Sequence, residues 1–207
     1  MRRTAVFSSS ALAFALAGCT PGLHVDTTVD PAFDPAEVHR VAVLPWFDWA
    51  LSIDETRAAA SKLTVALMRA DTSVQVVSVD ESARVIAGAG LAYDWALYLY
   101  DRSREEVPDR TVVMRVGDAL GVELIAQISL LDALQQDGSQ ELGPAYTSVL
   151  LQVTLYDAGT GSIAWSGSSG VAYENNPLRA PPVWVPSGWA LDAVLEKLPS
   201  LGKGRSR

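Results

Sequence analysis

Few side chains in this 207-residue chain carry the chemistry of nucleophiles or metal ligands. The sequence contains one cysteine, Cys19, and two histidines, His24 and His39. A single cysteine cannot form an internal disulfide or a multi-cysteine metal site, and the two histidines lack metal-ligand spacing. A catalytic triad needs a histidine that the fold can position, whereas His24 lies in a proline-rich segment and His39 opens a predicted strand. We therefore predict no catalytic residues, no cofactor and no metal site.

Three further patterns match catalytic motifs only in part. The run Gly167 to Gly170 begins like the Gly-x-Ser-x-Gly motif of a nucleophile elbow, but Val171 stands where that motif has its final glycine. Gly88-Ala89-Gly90 begins like a dinucleotide fingerprint without its third glycine, so we interpret it as a helix stop. The carboxylate pairs Asp54–Glu55 and Glu105–Glu106 lie in charged stretches that are typical of solvated surfaces. These patterns favour a protein that is not an enzyme.

The residues that precede Cys19 predict a secretory signal peptide over residues 1–18. Arg2 and Arg3 give a positive start, and Ala5 to Ala17 form an apolar run broken only by serines. A helix over this run would span about 20 Å, which is shorter than the roughly 30 Å of a bilayer core. Length and flanking charge therefore favour a signal peptide over a membrane span.

The apolar run ends in Leu16-Ala17-Gly18-Cys19, which resembles the lipobox of bacterial lipoproteins. The resemblance implies that diacylglycerol is attached to the Cys19 thiol, that the chain is cleaved after Gly18, and that the new amino terminus is acylated. Thr20, in place of aspartate, implies the outer membrane by the sorting rule of that family. The alternative is an ordinary signal peptide followed by an unrelated cysteine. The resemblance predicts an outer-membrane lipoprotein whose domain faces the periplasm.

The charge balance excludes some partners. The chain has 16 Lys and Arg against 24 Asp and Glu, for a net charge of −8. We predict no nucleic-acid partner, because phosphate contacts need clustered basic residues. Cleavage after Gly18 would remove Arg2 and Arg3 but no acid, which makes the mature chain more acidic still. Since an anionic bilayer repels such a domain, lipid rather than charge is expected to hold it at the membrane.

Composition and spacing divide the remainder of the chain. Pro21, Pro31 and Pro35 without a sustained apolar face predict a flexible tether over residues 19–37. A continuous apolar pattern predicts one domain over residues 38–200, and residues 201–207 form a basic tail.

Within the domain, the patterns predict an α/β fold with an α+β tendency. Val41 to Leu44 is apolar throughout, as in a strand covered on both faces. Ser52 and Glu55 form a capping box that opens a helix to Ala70. Two alternating runs around the Asp157 to Gly161 turn predict an antiparallel hairpin, and Trp189 to Leu198 a last helix. We predict a mixed sheet of about five strands, with a βαβ start, a C-terminal hairpin and helices packed on it.

Several segments of the domain resemble one group of envelope proteins. Val38 to Pro45 resembles the opening strand of a group that includes the curli-secretion lipoproteins, the TolB amino-terminal domain and the lipoproteins that activate penicillin-binding proteins. Val74 to Val77, Ala119 to Ile125 and Leu155 to Trp165 are similar to later segments, the last with an Asp-x-x-Thr-Gly turn. The resemblance implies a small α/β domain that binds other envelope components and performs no chemistry.

Three functions are therefore predicted from the sequence. The first is a non-enzymatic binding or assembly module that docks an envelope protein or its own copies. The alternatives are a subunit of a secretion or transport oligomer of curli-secretion type and a small envelope hydrolase.

Tryptophans mark the candidate surface for a partner. Pro45 to Trp49 follows the first strand of the predicted domain, at the sheet edge where open α/β sheets bind ligands, and Pro181 to Trp189 is predicted to be a second aromatic loop. We predict that Trp46, Trp49 and Trp184 form part of a partner-binding surface, because tryptophan dominates binding hot spots. The alternative is that they cover the core beneath loops.

Overall fold

The chain forms a sheet of six strands with helices on both faces. The computed structural model describes residues 23–46, 50–70, 73–103, 109–139, 143–174 and 178–202. The strands are His24–Val29 (β1), Arg40–Val43 (β2), Gln75–Val77 (β3), Leu124–Gln136 (β4), Tyr146–Asp157 (β5) and Ile163–Tyr173 (β6). The helices are Ile53–Ala70 (α1), Val79–Gly88 (α2), Ala92–Ser103 (α3), Arg110–Leu120 (α4) and Trp184–Leu195 (α5), and Pro35–Glu37 is a 3-10 turn. None of the described helices combines the length and apolar character needed to cross a membrane.

The strand order confirms the predicted α/β class and the mixed sheet. The order is β1-β6-β5-β4-β2-β3. Strand β2 runs parallel to β3 and β4, whereas β4, β5, β6 and β1 pair antiparallel. The described sheet has six strands instead of about five, and the strand that the sequence missed is β1.

The prediction of a flexible tether over residues 19–37 is wrong for its central part. Residues His24–Val29 pair with β6, in a register that sets His24 opposite Gly170 and Val29 opposite Trp165. Valine and threonine favour strands, and Val25 packs against the core from one face of β1. The partner strand is distant in sequence, so no local signal announces the pairing. Residues 24–29 thus belong to the folded domain and not to a tether.

Helices cover the two faces of the sheet in separate clusters. Helices α1 and α5 pack on one face, where the buried side chains include Leu63, Leu67, Leu151, Leu155, Trp165 and Leu191. Helices α2, α3 and α4 pack on the other face, with Ile86, Trp95, Tyr98, Val113, Ile125 and Tyr156. The alternation of apolar residues along β5 explains this division, because successive strand residues point to opposite faces.

Local capping signals position the helices. The backbone N–H of Ser52 donates to Glu55 Oε2 at 2.7 Å and the N–H of Glu55 donates to Ser52 Oγ at 3.3 Å, which confirms the predicted capping box. The Asp109 carboxylate accepts from the N–H of Thr111 at 2.9 Å at the start of α4. Helix α2 is capped by Ser78, whose Oγ accepts from the N–H of Glu81 at 3.3 Å.

The last helix starts earlier than predicted. The sequence predicted an aromatic loop over Pro181 to Trp189 and a helix from Trp189, but α5 begins at Trp184. Pro186 falls in the first turn of α5, where a proline lacks only an N–H that has no partner within the helix. Ser187 Oγ donates to the carbonyl of Val183 at 2.9 Å in the same turn. Pro186 is therefore compatible with the first turn of α5 and does not break the helix.

Strand β4 extends far beyond its parallel neighbour. The last β2–β4 pair joins Val43 to Ala126, and β4 continues to Gln136. This extension is about 34 Å long at a rise of about 3.4 Å per residue. The end of β4 at Gln136, the start of β5 at Tyr146, the end of β6 at Tyr173 and the start of β1 at His24 all lie toward one end of the sheet. We call this end the hairpin end.

Candidate functional site

A groove lies between α1 and α5, beside the carboxyl end of β2. Its volume is about 340 Å³, and its lining is mostly apolar, with Trp46, Leu51, Ala59, Leu151, Trp184 and Trp189 among the lining residues. Trp46 follows β2, Leu151 comes from the middle of β5, and the other lining residues come mainly from α1 and α5. We call this cavity the tryptophan groove.

The three tryptophans of the groove differ in exposure. Trp46 is 5% exposed and belongs to the core, whereas Trp184 is 53% and Trp189 36% exposed. The structure thus brings the predicted residues Trp46 and Trp184 together, while Trp49 lies outside the described residues. The sequence did not nominate Trp189 for the site. The spacing of five residues between Trp184 and Trp189 could have identified Trp189, but the predicted helix began only at Trp189, whereas α5 begins at Trp184.

The polar groups of the groove are engaged within the chain. Lys62 Nζ, on α1, donates to both carboxylate oxygens of Asp192, on α5, at 2.9 Å. Glu55 accepts the capping bond from the N–H of Ser52. This arrangement combines an apolar floor with a charged rim, and it suits the burial of a partner's apolar side chain more than acid–base or nucleophilic chemistry.

A second polar cluster lies on the opposite face of the sheet. Arg102, on α3, donates through Nη2 to Gln152 Oε1 at 2.6 Å and to Thr154 Oγ1 at 3.1 Å. Burial lowers the pKa of Arg102. Burial also raises the pKa of Tyr98, an effect that the positive charges of Arg102 and Arg110 oppose. The contacts join α3 to β5, so we assign the cluster to packing.

The other sequence candidates are scattered. Cys19 and Glu105–Glu106 lie outside the described residues. His24 Nε2 lies 3.0 Å from Asp26 Oδ1 on the exposed strand β1, and Asp54 forms a surface pair with Arg57 at 3.9 Å. Within the described ranges, no three His, Cys, Asp or Glu residues are grouped so that they could hold a metal ion.

Comparisons with known proteins identify likenesses at low identity. No protein-family model matches the chain, and no curated protein matches it significantly. A PelC dodecamer structure from Paraburkholderia phytofirmans has 12% identity, covers 84% of this chain and 94% of its own, and gives a TM-score of 0.46. A lipoprotein from Neisseria meningitidis has 15% identity over 77% of this chain and 96% of its own, with a TM-score of 0.41.

A third similar structure is the LpoB C-terminal domain from Salmonella enterica. It has 18% identity over 65% of this chain and 83% of its own, with a TM-score of 0.39. One of these three structures is a lipoprotein. At these values the likenesses assign the chain to no family.

Proposed function

We propose that this chain is a lipid-anchored protein of the bacterial cell envelope whose domain binds a protein partner through the tryptophan groove. The observation that carries the partner site is the exposure of Trp184, at 53%, beside a cavity floored by Trp46. The lipobox pattern that ends in Cys19 supports the anchor, and Thr20 supports the outer membrane with the domain facing the periplasm. The proposed protein performs no catalysis.

The shape of the groove favours an inserted apolar side chain. A cavity of about 340 Å³ lies near the small end of ligand pockets, which hold roughly 300–1,000 Å³. The binding free energy of an interface is concentrated in a few aromatic residues surrounded by polar groups that exclude water. Trp184 and Trp189 flank the opening in this way, and the Lys62–Asp192 pair forms part of its rim. The partner is an envelope protein or a second copy of the chain.

A pair of matched variants tests the partner site. Trp184→Ala removes an exposed tryptophan from the groove, and Tyr93→Ala removes an aromatic side chain that is 75% exposed on α3, in the opposite helix layer. We expect crosslinking of the full-length protein in cells to lose its captured protein in Trp184→Ala and to keep it in Tyr93→Ala. Thermal melting should be similar in both variants. Retention of the captured protein by a folded Trp184→Ala variant would contradict the proposed site.

The anchor has its own test. Mass spectrometry of the mature wild-type chain should show a lipid-modified Cys19 at its amino terminus. The Cys19→Ser variant should move from the membrane fraction to the soluble fraction, because its side chain can no longer form the thioether to lipid. An unmodified thiol in the mature wild-type chain, or a Cys19→Ser variant that stays in the membrane fraction, would contradict the anchor.

A further inference from the structure

We infer that the hairpin end of the sheet rests on the surface of the bilayer that holds the lipid. The inference rests on the proposed function in one respect, which is the lipid at Cys19. It adds an orientation of the domain and a membrane-contact surface made of Tyr146, Tyr173 and Leu178.

The first step concerns reach. Only residues 20–23 separate Cys19 from His24, the first residue of β1. A fully extended chain over this interval spans at most about 18 Å. Since His24 is fixed in the sheet by its pairing with Gly170, the backbone of the lipidated residue must lie within that distance of the folded domain.

The second step concerns direction. In the β1–β6 register, the chain that precedes His24 leads past Val171 toward Tyr173, which is the direction in which the β4–β5 hairpin projects. Leu150 lies beside Gly170, and the hairpin narrows to a bridge between Ser139 and Gly143. From Leu150 in β5 to Gly143 at the bridge, which lies beyond the start of β5, the hairpin spans at most about 24 Å at about 3.4 Å per residue.

The reach of the connecting segment and the length of the hairpin can now be compared. The described hairpin extends up to about 24 Å beyond the level of His24, and the lipidated residue can lie at most about 18 Å from His24. When the strands point at the membrane, the hairpin end therefore extends toward the interface about as far as the lipidated backbone can reach. The anchor cannot hold the domain away from the bilayer.

The side chains at this end suit an interface. Leu178 is 72% exposed, and its carbonyl accepts from the N–H of Gly138 at 3.2 Å, which places it beside the hairpin. Tyr146 and Tyr173 are half-buried at the ends of β5 and β6. The ring of Tyr173 packs edge-on against Trp189 at 4.6 Å between centroids. Aromatic side chains favour the headgroup region of a bilayer, and exposed aliphatic side chains add buried area there.

The opposite end of the sheet carries a larger group of acidic side chains. A depression of about 390 Å³ there is lined by Asp34, Glu37, Asp118, Glu123 and Asp157, among others. An anionic lipid surface repels such a cluster. The hairpin end has fewer exposed acids near Leu178, namely Asp137 and Glu174, and Arg179 lies beside them. Repulsion from an anionic surface is therefore weaker at the hairpin end.

Two labelled variants test this orientation. Leu178→Cys places a thiol at the hairpin end, and Ala119→Cys places one on the exposed side of α4 near the start of β4. In the mature lipidated chain the native Cys19 is blocked, so each variant carries one thiol for an environment-sensitive dye. Each labelled, full-length protein is reconstituted in phosphatidylethanolamine–phosphatidylglycerol vesicles that contain a lipid with a quencher on its headgroup.

We expect the dye at residue 178 to lose most of its fluorescence when the quencher lipid is included, and the dye at residue 119 to keep its fluorescence. An unquenched dye at residue 178 in protein that floats with the vesicles would overturn the inference, and so would equal quenching of both dyes. Failure of the wild-type chain to float, or reaction of the dye with Cys19, would count against the proposed anchor instead. The two failures are thus distinguishable.

Discussion

The guanidinium carbon of Arg102 lies 5.2 Å from the centroid of the Tyr156 ring. Tyr156 is fully buried in β5, and its ring also packs edge-on against Trp95 and Tyr98 of α3. A cation stacked on an aromatic face is attracted by the electron density of the ring. With the hydrogen bonds of Arg102 to Gln152 and Thr154, this contact fastens α3 to the middle of the sheet.

Arg102→Ala should therefore lower the free energy of unfolding by about 1–3 kcal/mol, because the half-buried acceptor Gln152 Oε1 keeps only the longer hydrogen bond from Thr154 Oγ1 at 3.3 Å. The matched control is Arg115→Ala, which breaks an exposed pair with Asp94 at 2.8 Å. Surface pairs of this kind contribute less than about 1 kcal/mol. Urea unfolding of both variants measures the difference. Equal losses would mean that Arg102 does not hold α3.

Close packing of Gly117 provides a second prediction. A Cβ atom at Gly117 in α4 would collide with the side chain of Ala158 in the turn between β5 and β6. We expect Gly117→Ala to destabilise the fold by about 1–3 kcal/mol, since a buried turn must shift to make room.

Gly88 is the control, because it ends α2 and a Cβ atom there meets no neighbour within 4 Å. Gly88→Ala should raise the free energy of unfolding by about 0.4–1 kcal/mol through the lower entropy of the unfolded chain. Urea unfolding measures both variants. If the two changes had the same sign, the close contact at Gly117 would be refuted.

The tryptophan groove predicts different stabilities for two tryptophan variants. Trp46→Ala should lower the free energy of unfolding by about 3–5 kcal/mol, because it removes a buried ring from the core. Trp184→Ala should change it by less than about 0.5 kcal/mol, since Trp184 is mostly exposed. Calorimetric melting of the two proteins checks the contrast. A large loss in Trp184→Ala would assign this side chain to packing.

Acid should weaken the start of α4. Hydrogen bonds from Thr111 hold the pKa of Asp109 below its ordinary value. The unfolded chain therefore binds a proton at this carboxylate more readily, so the stabilisation is present above the ordinary carboxyl pKa and is lost as the pH falls through the lowered pKa. The melting temperature of the wild type should exceed that of Asp109→Ala at neutral pH, and the gap should close in acid. Asp54→Ala, on the exposed start of α1, controls for the loss of one charge. A gap that is constant with pH would refute the role of the carboxylate.

Elements that are specified by a few neighbouring residues can be predicted from the sequence. Ser52 and Glu55 lie three residues apart and cap α1 as predicted. The turn from Asp157 to Gly161 needs glycine at its last position, because Gly161 adopts a φ of 69°. Such features depend on a few neighbouring residues, so a pattern reveals them directly.

Other features depend on partners that are distant in the chain. Strand β1 forms because it can pair with the edge of β6. The prolines near β1 in the sequence instead favour the prediction of a linker. For the groove, the sequence identified Trp46 and Trp184 by residue type and by their place after β2 and near α5. It did not separate the buried Trp46 from the exposed Trp184, since burial depends on how α1 and α5 pack across β5.

The pairing of β1 with β6 has a consequence for the order in which the chain can fold. His24 and Gly170 are among the most widely separated paired residues of the sheet, and their contact closes a loop that contains almost the whole domain. Such closures carry a large entropic cost and form late in folding. When the chain is made from its amino terminus, β1 can therefore pair with β6 only after nearly the whole domain has been synthesised.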